Sequence, residues 1–113
     1  ATELTQGILS KKLFDKLNKD TYLINVARGH HQVNEDIIDA IEERQLSGAF
    51  LDVFPEEPLP KRSPLWNHPK IMITPHIAVV TKINEAVPQI IESHRKVIAG
   101  ESPEILVDRI KGY

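Results

Sequence analysis

The sequence has 113 residues, 41% hydrophobic and 27% charged, with a formal net charge of −2 and no cysteine. That length suits one domain or part of one, and the balance of apolar and charged residues excludes a disordered tail. The near-neutral charge gives no footing for nucleic acid or an anionic membrane, the lack of cysteine excludes disulfides and thiolate metal sites, and no apolar run approaches the roughly 20 residues that cross a bilayer, so a cytoplasmic protein is the expectation.

Ala1–Gly7 reads as the middle of a loop, which suggests a truncated chain. Ser10 is placed to cap a short helix with Leu13, Phe14 and Leu17 on its apolar face. Tyr22–Val26 is the first predicted strand. Asn34 is the expected cap of a second helix, with Glu35 and Asp36 at its positive end and Ile37, Ile38 and Ile41 on one face, and Gly48 is the expected stop. Ala49–Phe54 and Ile71–Thr74 are the second and third strands. All three are nearly continuous in apolar residues, as in parallel strands covered on both faces, and their alternation with helices predicts α/β organisation with a right-handed crossover.

Between the last two strands, prolines 55, 58, 60, 64 and 69 exclude a regular helix or central strand. Leu59, Leu65 and Trp66 are expected to anchor this segment as an ordered connection. A helical pattern of Ile83, Val87, Ile90, Ile91, Val97 and Ile98 then runs to Gly100. Pro88 either opens its regular part or kinks it. The tail from Ile105 to Tyr113 is expected to add a short extended segment.

Chemistry-bearing side chains collect where the strands end. Arg28 follows the first strand, and ligands of open α/β sheets bind outside the carboxyl ends of strands. Its planar fork of donors matches a carboxylate, although an arginine here could equally pair with a nearby acid or lie in solvent. Asp52 stands inside the apolar second strand, where a carboxylate needs hydrogen-bond partners, and Glu57 follows in a proline-bounded turn. Either acid alone reads as structural as readily as catalytic. His76, after the third strand, can exchange a proton near neutral pH, and an adjacent carboxylate would favour its charged form, although a histidine there could instead cap or pack. Arginine, glutamate and histidine after successive strands, on one edge of the sheet, point to a shared site. His30, His31, His68 and His94 form no familiar metal motif.

NxARG at Asn25–Gly29, LDVFxxEP at Leu51–Pro58, SPLW at Ser63–Trp66 and TPH at Thr74–His76 together resemble the D-isomer-specific 2-hydroxyacid dehydrogenases, in their order and in the 29-residue interval from Arg28 to Glu57. His31, the SPLWNHP run at Ser63–Pro69 and the VDRIKGY ending at Val107–Tyr113 resemble the bacterial branch that reduces glyoxylate and hydroxypyruvate. The resemblance implies that residues 1–76 are the C-terminal part of a Rossmann-like, parallel-sheet NAD(P)-binding domain. Residues 77–113 would be a helix and tail returning to the substrate domain.

The resemblance also implies NADPH or NADH as cofactor, a small 2-oxo acid as substrate, and a homodimer when full length. By position, Arg28 would bind the substrate carboxylate and keto oxygen. His76 would donate a proton to that oxygen, and Glu57 would hydrogen-bond His76 and keep it protonated. Asp52 would lie beside the nicotinamide carboxamide, the backbone of Val26 and Ala27 would line the nicotinamide pocket, and Arg28, His76 and Ala78 would complete the cofactor contacts.

The chain departs from the family at His30 and Gln32, polar where small or apolar residues are usual. Its five glycines contain no GxGxxG, so the phosphate-cradling loop of a dinucleotide fold is missing and the chain alone is expected to be inactive. Two other readings are a non-catalytic binding protein that keeps the dehydrogenase fold, and a self-contained α/β interaction module. The last would leave a bare sheet edge and an uncovered apolar face.

Overall fold

Three parallel strands, β1 (Thr21–Asn25), β2 (Leu46–Leu51) and β3 (Ile71–Ile73), lie side by side in that order. The computed structural model describes residues 2–104, 106–108 and 110. It divides into two units, Glu3–Val79 and a second that begins at Val80.

In the first unit, α1 (Lys11–Phe14) and α2 (Asn34–Glu42) pack with the sheet around Phe14, Leu23, Ile37, Ile41, Leu46, Ala49, Leu51 and Leu65. Fully burying side chains of this kind stabilises a fold by about 1.5–3 kcal/mol each. Leu13 packs against this core from α1 as expected, whereas Leu17, expected on the same helix, reaches it from the turn beyond Phe14. Ser10 flanks α1 without a side-chain cap. The Lys11 N–H instead donates to Asp36 Oδ2 at 2.7 Å, so a carboxylate in the first turn of α2 caps its neighbour.

Val33, not Asn34, flanks the start of α2, and Asn34 is its first helical residue. The helix also stops before Gly48. Arg44 adopts a left-handed backbone (φ 58°), while the Arg44 and Gln45 N–H groups donate to the Ile41 and Ala40 carbonyls, which is the Schellman closure with arginine where glycine is usual. Gly48 lies inside β2. A Cβ there would stand 2.8 Å from the Tyr22 ring and 2.7 Å from the Lys70 carbonyl oxygen, so the strand needs glycine for close approach.

All three strands end earlier than their apolar runs suggest, and the first two also begin earlier: Val26 lies beyond β1, Thr74 beyond β3, and Asp52–Phe54 beyond β2, so Asp52 follows the strand rather than standing inside it. Leu23, Ala49 and Ile71 form one register row towards the helices. On the other face, Ile24, Phe50 and Met72 align as register partners, and Ile24 (62%) and Met72 (59%) remain exposed. Only one face is covered in this unit, because both of its helices pack on the same side.

The connection 55–69 is ordered. Ser63 Oγ accepts from the Leu65 N–H at the start of a 3₁₀ turn, Pro64–Asn67. Leu65 is fully buried and Leu59 partly so, whereas Trp66 is half exposed and tethered by its indole N–H to the Pro60 carbonyl at 3.0 Å. The Glu57–Pro58 peptide is cis.

The second unit contains α3 (Ile83–Ile98), with Pro88 inside it rather than at its start. The proline removes the N–H that would bond the Asn84 carbonyl. Gly100 (φ 75°) ends the helix, and Gly100 and Glu101 donate to the Val97 and Lys96 carbonyls. The apolar positions Ile83, Val87, Ile90, Ile91, Val97 and Ile98 are all exposed. Among the described residues no helix is long and apolar enough to cross a membrane. The extended segment expected from Ile105 to Tyr113 lies in part outside the described residues.

Candidate active site

Because the strands are parallel, their carboxyl ends open on one edge of the sheet, and each feeds one arm of the site. After β1 the chain turns through Val26, Ala27 and Arg28 into a 3₁₀ turn, Gly29–His31. Asn25, buried at the strand end, organises this turn: its Oδ1 accepts the Ala27 N–H at 3.1 Å and its Nδ2 donates to the Arg28 carbonyl at 3.2 Å. The Arg28 side chain is exposed, with Nη1 donating to the Ala27 carbonyl at 2.7 Å.

After β2, Asp52, Val53 and Phe54 stay buried before the proline-rich turn emerges. Glu57 folds back so that Oε1 accepts the Phe54 N–H at 2.9 Å. Its other oxygen, Oε2, lies 2.9 Å from His76 Nδ1. The bond to His76 and the bond from the Phe54 N–H hold the Glu57 carboxyl below its ordinary range, outweighing its partial burial. Glu57 is therefore ionised near neutral pH, so His76 Nδ1 must carry the hydrogen between them. Nε2 is left as the nitrogen that can exchange a proton.

His76 itself adopts a left-handed backbone (φ 55°), a conformation that costs a non-glycine residue of order 1–3 kcal/mol. Asp52 holds it there. The carboxylate is 1% exposed and accepts from Thr74 Oγ1, from the Ile77 N–H at 2.9 Å and from the Ala78 N–H at 2.8 Å. Burial alone pushes the Asp52 carboxyl up. The Thr74 hydroxyl, the two backbone donors and the nearby His76 outweigh that and bring it below its ordinary range. Donors before and after His76 thus converge on one buried anion, and the chain between them must turn sharply.

Arg28, Glu57 and His76 line one cavity of about 220 Å³, together with Gly29, His30, Phe54 and Pro55. A larger cavity of about 640 Å³ adjoins the same pair, walled by Phe54, Pro58, Leu59, Trp66, Ile73, Thr74 and Pro75 as well as Glu57 and His76. Val26 and Ala27 lie exposed at the end of β1, and Ala78 is exposed beyond the His76 turn. Asp52 lies beneath that turn with its oxygens engaged inside the chain. Among the described residues no group of three or more histidines or carboxylates is placed to hold a metal ion.

Three contributors were not legible from residue type. Thr74 sits in a conspicuous motif, yet its bond to Asp52 depends on the register of β2 and β3. Gly29 is needed because the Phe54 backbone passes against it. Gln32, conspicuous only as a departure, is buried beside Asn25.

Fold and site together define an α/β protein that gathers an arginine, a glutamate and a histidine on one cavity at the carboxyl edge of a parallel sheet. The chain belongs to the D-isomer-specific 2-hydroxyacid dehydrogenases, whose NAD-binding domain matches residues 1–78. It is 46% identical over 112 residues to a glyoxylate/hydroxypyruvate reductase A of Yersinia enterocolitica, a match covering 99% of this chain and 36% of that protein. The chain thus spans about a third of the curated relatives' length.

Among solved structures it resembles a D-isomer-specific 2-hydroxyacid dehydrogenase of Xanthobacter autotrophicus in complex with NADPH, with a TM-score of 0.93 and 37% identity, over 100% of this chain and 47% of that one. It also resembles an NADPH-dependent glyoxylate/hydroxypyruvate reductase of Sinorhizobium meliloti in complex with NADP, with a TM-score of 0.89 and 33% identity, over 100% of this chain and 37% of that one.

Proposed function

We propose that this chain supplies the acid–base half of an NAD(P)-dependent reductase that converts a small 2-oxo acid, of the glyoxylate or hydroxypyruvate type, into the 2-hydroxy acid. The observation that carries the reading is the Glu57–His76 pair at 2.9 Å on a cavity that Arg28 also lines. A reducible oxo acid needs a cation for its carboxylate and an acid for the oxygen that gains charge, and these residues match both needs.

Arg28 binds the carboxylate and the keto oxygen through its planar donors and stabilises developing charge there. His76 donates the proton from Nε2 to that oxygen, and Glu57, ionised and bonded to Nδ1, orients the ring. When bound, a reduced nicotinamide supplies the hydride. Val26, Ala27 and Ala78, all exposed, would hold it together with Arg28 and His76. Asp52, its oxygens engaged inside the chain, would bear on the carboxamide only through the turn it holds. The donors for the dinucleotide phosphates belong to a glycine-rich loop that these residues do not contain.

Residues 1–76 serve the cofactor domain in this reading, and 77–113 the substrate domain. By family resemblance the whole protein is a cytoplasmic homodimer, and the 113-residue chain by itself is inactive. The test is to express the whole protein and follow NADPH and NADH oxidation with glyoxylate and hydroxypyruvate. Turnover with either acid is expected. Dinucleotide binding with no turnover of any small 2-oxo acid would favour the non-catalytic binding protein.

A further inference from the structure

We infer that Gln32 is a positioning residue for Arg28, clasping the loop that presents the guanidinium to the oxo acid. The inference rests on the carboxylate-binding role proposed for Arg28. Gln32 and Asn25 are 4% and 3% exposed, two amides enclosed beside an apolar core. Asn25 Nδ2 donates to Gln32 Oε1 at 2.6 Å, and Gln32 Nε2 donates to Asn34 Oδ1 at 2.9 Å.

This chain of amides has only one workable direction. The Ala27 N–H can only donate, so Asn25 must face it with Oδ1 and turn Nδ2 towards Gln32. Gln32 must then present Oε1, which leaves its Nε2 for Asn34. Each amide fixes the next, so that Asn25 orients the peptide between Val26 and Ala27 through the Ala27 N–H and the one between Arg28 and Gly29 through the Arg28 carbonyl.

The main chain around Gln32 is anchored by the segment that precedes α1. Leu9 pairs with it as an isolated parallel bridge, donating to the His31 carbonyl at 2.7 Å and accepting the Val33 N–H at 3.0 Å. The Gly7 N–H adds a bond to the His30 carbonyl at 2.9 Å. An apolar residue at position 32 would keep this backbone pairing. It would leave Asn34 Oδ1 without its donor and Asn25 Nδ2 with the Arg28 carbonyl alone, freeing the Asn25 carboxamide to rotate away from Ala27. The polar departure from the family pattern is therefore a link between the Leu9 bridge and the loop that carries Arg28.

The test uses the whole protein with Gln32→Met, similar in volume but without an acceptor, and Gln32→Glu, which keeps one. Gln32→Met is expected to raise the oxo-acid KM about tenfold and to leave dinucleotide affinity within about twofold, since loop misplacement weakens alignment more than cofactor binding. It should also accelerate hydrogen exchange at the Ala27 amide. Gln32→Glu should keep the oxo-acid KM within about threefold of wild type. An unchanged KM and unchanged Ala27 exchange in Gln32→Met overturn the clasp. So does equal loss of oxo-acid and dinucleotide binding in both variants, which is the mark of packing alone. A wild-type protein that turns over no small 2-oxo acid removes the proposed function instead. Exchange at Ala27 then decides the clasp: faster in Gln32→Met upholds it, unchanged rejects it.

Discussion

Gly29 lies against the backbone of Phe54: a Cβ on Gly29 would stand 1.9 Å from the Phe54 carbonyl carbon and 2.4 Å from the Pro55 nitrogen. The loop bearing Arg28 and the loop bearing Glu57 therefore meet main chain to main chain. Gly29→Ala should push them apart, with destabilisation near the upper end of the roughly 1–3 kcal/mol typical of overpacking. In the whole protein, reductase activity should fall with stability. Chemical denaturation and steady-state kinetics on the same preparations would check this, and a variant with wild-type values would refute the contact.

His76→Ala removes the nitrogen assigned to proton donation, and Arg28→Ala removes the cation. In the whole protein His76→Ala should lower kcat about 10²- to 10⁴-fold while dinucleotide affinity stays close to wild type. Arg28→Ala should weaken oxo-acid binding and turnover together. Steady-state kinetics beside dinucleotide titration separates the two patterns, and wild-type kinetics in either variant would remove the assigned role.

Both Asp52 and Glu57 have carboxyls held below their ordinary range in the folded chain. Folding therefore favours their ionised forms. The stability they contribute is complete above the ordinary carboxylate range and drains away as pH falls through the lowered folded values. Wild-type protein should lose stability in acid, and Asp52→Asn, which replaces an acceptor with an amide donor opposite backbone N–H groups, should be less stable at neutral pH. The gap between the two should narrow from about pH 7 to about pH 3 in urea titrations. A gap that widens in acid would contradict the assigned direction.

The row of exposed Ile24 and Met72 on either side of part-buried Phe50 gives the isolated chain an adhesive surface. The 113-residue chain should associate in solution and show no reductase activity. Ile24→Lys with Met72→Lys, both at exposed positions, should reduce association measured by light scattering. A monomeric wild-type chain with a sharp cooperative melt would show that the row needs no cover.

The order of elements was legible because each apolar run and motif is a local pattern, and the parallel sheet with Arg28, Glu57 and His76 on one edge followed from the alternation of those runs with helices. Details that depend on neighbours were not. Ser10 was a sound cap by type, but Asp36 of the adjacent helix reached the Lys11 N–H first. Gly48 was a sound helix stop by type, yet Arg44 took the left-handed position and Gly48 was claimed by the Tyr22 ring. Pro88 left two readings open, and the helix passes through it. Asp52 was legible as a carboxylate in need of donors, while the identity of those donors, on both sides of His76, followed from strand register.

The left-handed turn at His76 also bears on how such a gene could decay. Relaxed selection on proton transfer would free the imidazole to be lost, but the backbone there would still disfavour most side chains for as long as Asp52 gathers Thr74, Ile77 and Ala78 around it. A descendant that had abandoned catalysis would thus be drawn towards glycine, asparagine or aspartate at this position. Such a residue, with Asp52 intact, would be the fossil of the former acid.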